Sequence, residues 1–139
     1  MRLIAEIKDR QPEMASWRQH LHQCPEIAYE EEMTSAFVAA KLESFGIEVH
    51  RGLGKTGIVG VIHGQESDDG PVPAIGLRAD MDALPMEERT NLSYASRHPN
   101  RMHACGHDGH TTMLLGAAQY LAAKRHFEGK VYCIFQPAE

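Results

Sequence analysis

The sequence predicts a layered α/β fold. Short apolar β segments alternate with helix-like stretches, and the longest helical pattern leads through a glycine into a further apolar strand. Polar residues able to bind metal or move protons fall just after predicted strands or just before a helix. In open α/β sheets those loops are where sites assemble.

Taken in order, Gln11-Pro12 marks a helix start with proline in the first turn, and Met14, Trp17 and Leu21 then share one face until Cys24-Pro25 stops the helix. A second helix is expected from Glu30 to Ser44, with Met33, Phe37, Val38, Leu42 and Phe45 as its apolar stripe and Gly46 as its cap. Ile47–His50 and Gly57–His63 read as strands, and 65–71 as a polar turn. Val72–Arg78 reads as a mostly apolar buried strand. From Asp108 to Lys124, apolar residues recur at helical spacing (Met113, Leu114, Ala117, Ala118, Leu121, Ala122), and Lys130–Phe135 is a further buried strand. The sequence stops at Phe135-Gln-Pro-Ala-Glu139, directly after that strand, which reads as an interruption rather than a natural end.

At 139 residues the chain is of single-domain size, long enough to bury a proper core. Apolar residues at 42% and charged residues at 24% are those of a water-soluble globular chain. A net charge of −5, with no basic stripe, argues against nucleic acid or an anionic membrane as partner. The N-terminal stretch has charges inside its apolar run and no cleavage site, so it does not read as a signal peptide, and no apolar run reaches transmembrane length. Cys24, Cys105 and Cys133 are odd in number and form no disulfide framework, so a reducing, cytoplasmic setting is expected.

The chemistry concentrates in residues 98–110, which hold four of the nine histidines and one of the three cysteines. Imidazole and thiolate suit a borderline-soft divalent metal, and Cys105 and His107 can bind from one tight turn around Gly106. Cys105 also precedes a predicted helix N-terminus, which favours the thiolate. His103 and His110 are weaker candidates, for supporting or substrate contacts. Asp108 is placed to cap the helix. Asp80 and Asp82, two carboxylates after a predicted strand, could accept a proton, bind metal or orient a ligand, or simply shape a turn. Glu139 follows a strand and a proline, where a carboxylate could serve as general base on a metal-activated water. Cys133 and Trp17 read as core residues. Gly52–Gly57 lacks the spacing and the following helix of a phosphate loop. The pattern of the zinc deaminases is also missing.

Together, Trp17-Arg-Gln-His-Leu-His22 with Pro25-Glu26, Arg78-Ala-Asp-Met-Asp-Ala-Leu-Pro85, Met102-His-Ala-Cys-Gly-His-Asp-Gly-His110 and Phe135-Gln-Pro-Ala-Glu139 resemble the dinuclear-metal aminoacylase/carboxypeptidase family. The nearest branch is the amidohydrolases that include hippurate hydrolase and the indole-acetyl-amino-acid hydrolases. Cys24 departs from the family's usual His in that segment. The resemblance runs from about Gln11 to the last residue, so the chain is expected to be the N-terminal portion (1–139) of a layered α/β/α metallopeptidase-type catalytic domain, without the rest of that domain or the inserted dimerisation domain. It implies Cys105 and His107 as metal ligands, Asp82 as the residue that orients groups at the metal, and Glu139 as general base. It further implies two divalent ions per site, zinc or manganese first and cobalt or nickel next, an N-acyl amino acid substrate, and a homodimer for the complete protein. Two other readings stay open on the residues alone. Cys105 could be a nucleophile with His103 or His107 as its base, although no orienting third group is evident. Alternatively, the chain could be a non-catalytic metal-binding module.

Overall fold

A computed structural model describes residues 4–65 and 72–139. Among the described residues there are four helices: α1 (Ala5–Asp9), α2 (Gln11–Gln23), α3 (Glu32–Ser44) and α4 (His107–Lys124). Four strands, β1 (Glu48–Leu53), β2 (Gly57–His63), β3 (Ala74–Asp80) and β4 (Lys130–Gln136), form one sheet in the order β1-β2-β4-β3. β1, β2 and β4 pair antiparallel, whereas β3 and β4 run parallel and are joined through α4. That link is the strand–crossover–strand unit expected of an α/β chain.

One core binds the helices to one sheet face. Ile58 and Ile62 of β2, Val131, Cys133 and Phe135 of β4, and Ala79 of β3 meet Trp17 of α2, Val38, Ala39 and Leu42 of α3, and Leu114, Leu115 and Ala118 of α4. Alternate residues along β4 point away from it, as the period of two requires. Trp17 and Cys133 are core residues, as expected. Helices close on the sheet and on each other where side chains are smallest. A Cβ on Gly60 would press on Leu42 and Ile47, and one on Gly116 would press on Met14.

The structure corrects several expectations. Within these 139 residues the stretch expected to be a buried strand has one strand neighbour: only Ala79 and Asp80 of β3 are buried, and Ile75 is 57% exposed. An edge strand has one neighbour, so apolar composition alone does not bury it. Met33 and Met113 lie in the predicted apolar stripes yet are exposed. Helix α1 was not foreseen; five residues with no buried side chain are too short to show a periodicity. Of the polar turn expected over 65–71, only Gln65 is among the described residues, where its amide bonds the carbonyl of Phe127. No helix among the described residues is long and apolar enough to cross a membrane.

Candidate metal centre

The parallel pairing of β3 with β4 brings two chemical segments together. Asp80 lies opposite Gln136 in the register, so Asp80–Asp82 and Pro137–Glu139 leave the sheet side by side at its carboxyl end. Backbone hydrogen bonds fix the first segment: Met81 N–H to Gln136 O (3.0 Å), Ala83 N–H to Glu26 O (2.7 Å), and a reciprocal pair between Leu84 and Met102. The amino end of α4 arrives at the same place, where the Thr111 hydroxyl donates to Asp80 O at 2.9 Å.

Gly106 makes the turn that presents the two candidate ligands. Its φ of +89° lies in the left-handed region that glycine adopts without strain, and it is the N-cap of α4. Cys105 and His107 flank it. His107 is buried, and its Nδ1 faces two acceptors, Asp82 O at 2.8 Å and Asp82 Oδ1 at 2.9 Å. Both partners accept, so Nδ1 carries a hydrogen and Nε2 is the ring nitrogen left to face the other side. This carboxylate–imidazole arrangement is how metal-binding histidines are oriented. Nε2 then faces Glu139 Oε2 at 3.3 Å. Cys105 Sγ, a ring nitrogen of His107 and a Glu139 carboxylate oxygen lie within 4.8 Å of one another. A sulfur, an imidazole nitrogen and a carboxylate oxygen at that separation fit a divalent ion, with Nε2 already aimed inward.

A second group, Asp80, His107 and His110, also lies within 4.8 Å and shares His107. Here the acid is already matched. His110 Nδ1 sits 2.7 Å from Asp80 Oδ1, and Arg78 Nη1 donates to Oδ2 at 3.2 Å. Burial works to raise the Asp80 carboxyl, but the hydrogen bond from His110 and the nearby His107 and His110 outweigh it and hold it below the ordinary value. By contrast, among the described residues neither the Cys105 thiol nor the Glu139 carboxylate has a side-chain hydrogen bond. The Glu139 ion-pair contacts are His107 and a distant Arg78 Nη2 at 3.9 Å.

Behind this centre lies a buried polar layer. Asp108 occupies the first turn of α4 rather than its N-cap. Its Oδ1 accepts the Gly109 amide, and its Oδ2 meets His22 Nδ1 at 2.7 Å and Arg18 Nε at 3.2 Å. The other ring nitrogen of His22 reaches Glu88 Oε1 at 3.1 Å. His103 is buried next to this layer, and neither of its nitrogens has a partner among the described residues. Desolvation pushes its pKa down from 6.5 to about 4. Between those values the unfolded chain takes up a proton that the folded chain does not. Stability is therefore complete above pH 6.5 and is lost as pH falls toward 4, by roughly 3 kcal/mol from this one group. His103→Leu in metal-free protein should gain stability relative to the parent at pH 4.5 compared with pH 7. Denaturant titrations at both pH values check this, and an unchanged difference would contradict it.

The structure thus gathers Cys105, His107, Asp82 and Glu139 in one place. His103 lies behind them, and His110 engages Asp80. The sequence reading gave no role to Glu26 or Glu31. Glu26 caps α3, accepting the Met33 and Thr34 amides at 3.0 and 2.8 Å, and Glu31 is fully buried. The available signal for Glu31 is that it stands three, seven and eleven residues before Thr34, Val38 and Leu42, on their buried face.

The three free cysteines differ in accessibility. Cys105 is exposed, Cys24 is intermediate, and Cys133 is buried with its thiol pushed up to about 11 by desolvation. Alkylation of the folded protein should label Cys105 and leave Cys133 untouched, and saturating zinc should slow labelling at Cys105 at least tenfold. Peptide mass mapping reads this out; zinc-independent labelling of Cys105 would argue against ligation.

The chain is 53% identical over all of its 139 residues to hippurate hydrolase of Campylobacter jejuni, and covers 35% of that protein. It is 43% identical to the N-acyl-L-amino acid amidohydrolase of Geobacillus stearothermophilus, over 99% of this chain and 36% of that one. The chain therefore spans about a third of the length of these relatives. A crystal structure of a dinuclear metal binding peptidase from Bacillus subtilis superposes with a TM-score of 0.87 at 39% identity, covering 95% of this chain and 36% of that one. Residues 76–139, which run from β3 through the Cys105–His107 turn to Glu139, match the Peptidase family M20/M25/M40 model.

Proposed function

We propose that this chain forms the N-terminal portion of the catalytic domain of a metal-dependent amidohydrolase that cleaves N-acyl amino acids, hippurate-like compounds among them. The observation that carries this reading is the oriented His107, whose Nδ1–H is held by Asp82 while Nε2 faces Cys105 and Glu139. Cys105 and His107 would hold metal, with zinc or manganese favoured over cobalt or nickel. Two divalent ions bound there would polarise the amide carbonyl and acidify the attacking water. Glu139 accepts that water's proton as its oxygen bonds to the carbonyl carbon, then delivers a proton to the departing nitrogen as the C–N bond breaks. The products are a carboxylate and a free amino acid. Asp82 keeps His107 in the ligating tautomer and, through Oδ2, receives the Glu139 amide at 3.3 Å.

These residues supply two assigned ligands, whereas a closed zinc site has four. The 139 residues alone are therefore expected to bind metal weakly and to turn over little, and a complete catalytic chain, dimeric and cytoplasmic, is expected to be active. Incubating both with N-benzoylglycine and measuring glycine release tests this. Activity of the complete chain that chelation abolishes and metal restores supports the reading. Chelator-insensitive activity blocked by thiol alkylation would instead favour Cys105 as a nucleophile.

A further inference from the structure

We propose that Glu31 is a positioning residue for Glu139, holding the turn that aims the general base. This rests on the base reading of Glu139 given above. Glu31 occupies the N-cap position of α3, where a carboxylate ordinarily accepts the amides of the first turn. It makes no such bond, because Glu26 has taken the Met33 and Thr34 amides. Its side chain is instead spent across the fold: Oε2 accepts the Thr56 hydroxyl at 2.6 Å, and Oε1 accepts the Ala138 amide at 3.0 Å, 107 residues away in sequence. The carboxylate is fully buried, so it is costly to keep and its bonds to these donors are charge-assisted.

What it holds is the residue before Glu139. Ala138 has φ of +49°, in the left-handed region that alanine rarely adopts, so the turn needs external support. Support arrives from three directions. Pro137 packs against the β1–β2 turn at Gly54 and Gly57, Glu31 holds the Ala138 amide, and Asp82 holds the Glu139 amide. The Glu139 side chain is 54% exposed and has no side-chain hydrogen bond among the described residues, so its direction toward His107 is set by this backbone. Two buried carboxylates thus grip two consecutive amides. Glu31 never reaches the reacting atoms; it acts through Ala138.

The test uses Glu31→Gln, which keeps a neutral acceptor, and Glu31→Leu, which keeps none. Amide hydrogen exchange is read at Ala138 and Glu139, with Val131 and Cys133 of β4 as internal references. Exchange at Ala138 should rise about fivefold in the Gln variant, because a neutral acceptor bonds more weakly than a charged one, and further in the Leu variant, while the β4 references stay within twofold. In the complete catalytic chain, Glu31→Gln should lower kcat with KM unchanged. If Ala138 exchange does not change, or if it rises together with all of β4, the positioning role is wrong. If exchange changes as stated but Glu139→Gln retains full turnover, the base reading fails while the Glu31–Ala138 anchor stands. Should the Leu variant not fold, the Gln variant alone decides.

Discussion

Glu139→Gln in the complete catalytic chain is expected to lower kcat by about a thousandfold, within the range a positioned general acid–base group contributes, and to leave KM nearly unchanged. The substitution keeps the size of the side chain and the backbone bond from Glu139 to Asp82 Oδ2, so the turn is preserved. It removes the one carboxylate that stands 3.3 Å from His107 Nε2 while keeping no other side-chain hydrogen bond among the described residues. Steady-state kinetics on N-benzoylglycine measure the effect. A fall of less than tenfold would mean that another group takes the proton.

Asp82→Asn is the second large effect, and its logic is donor counting. Asp82 is buried and meets two donors: Oδ1 takes the His107 ring N–H and Oδ2 takes the Glu139 amide. An asparagine has one acceptor oxygen and one NH2 group, so one of those donors must face another donor. If the His107 side loses, Nδ1–H keeps only the Asp82 backbone oxygen and faces an NH2 donor where it had a carboxylate, so the ring is held less firmly in its ligating orientation. If the other side loses, the turn bearing Glu139 shifts. Metal affinity should fall between about tenfold and a hundredfold, as it does when such orienting partners are removed. Isothermal titration with zinc measures it; affinity unchanged within twofold would show that Asp82 does not orient His107.

Much of this was legible in the sequence because its signals are local. Gln11-Pro12, the apolar recurrence after Asp108 and the β-rich run from Gly57 to His63 each lie within one element, and each element formed where expected. The candidate-ligand turn was legible for the same reason: Cys105, Gly106 and His107 are consecutive. What escaped depends on pairings distant along the chain. Within these 139 residues β3 pairs with β4 alone, a placement no residue in 74–80 encodes. Glu31 looks like one of three surface acids until Thr56 and Ala138 are brought to it. Asp108 sits at a position where a cap is common, yet its carboxylate is committed to His22, 86 residues away.

The central claim is that Cys105 and His107 bind the metal together, and ligand replacement tests it most directly. Zinc affinity of the complete catalytic chain should be measured by chelator competition for the parent, Cys105→Ser and His107→Ala, with folding of each checked by circular dichroism. The account predicts that each folded variant binds at least a hundredfold more weakly than the parent. Parent-like affinity in both would place the metal elsewhere and contradict the account.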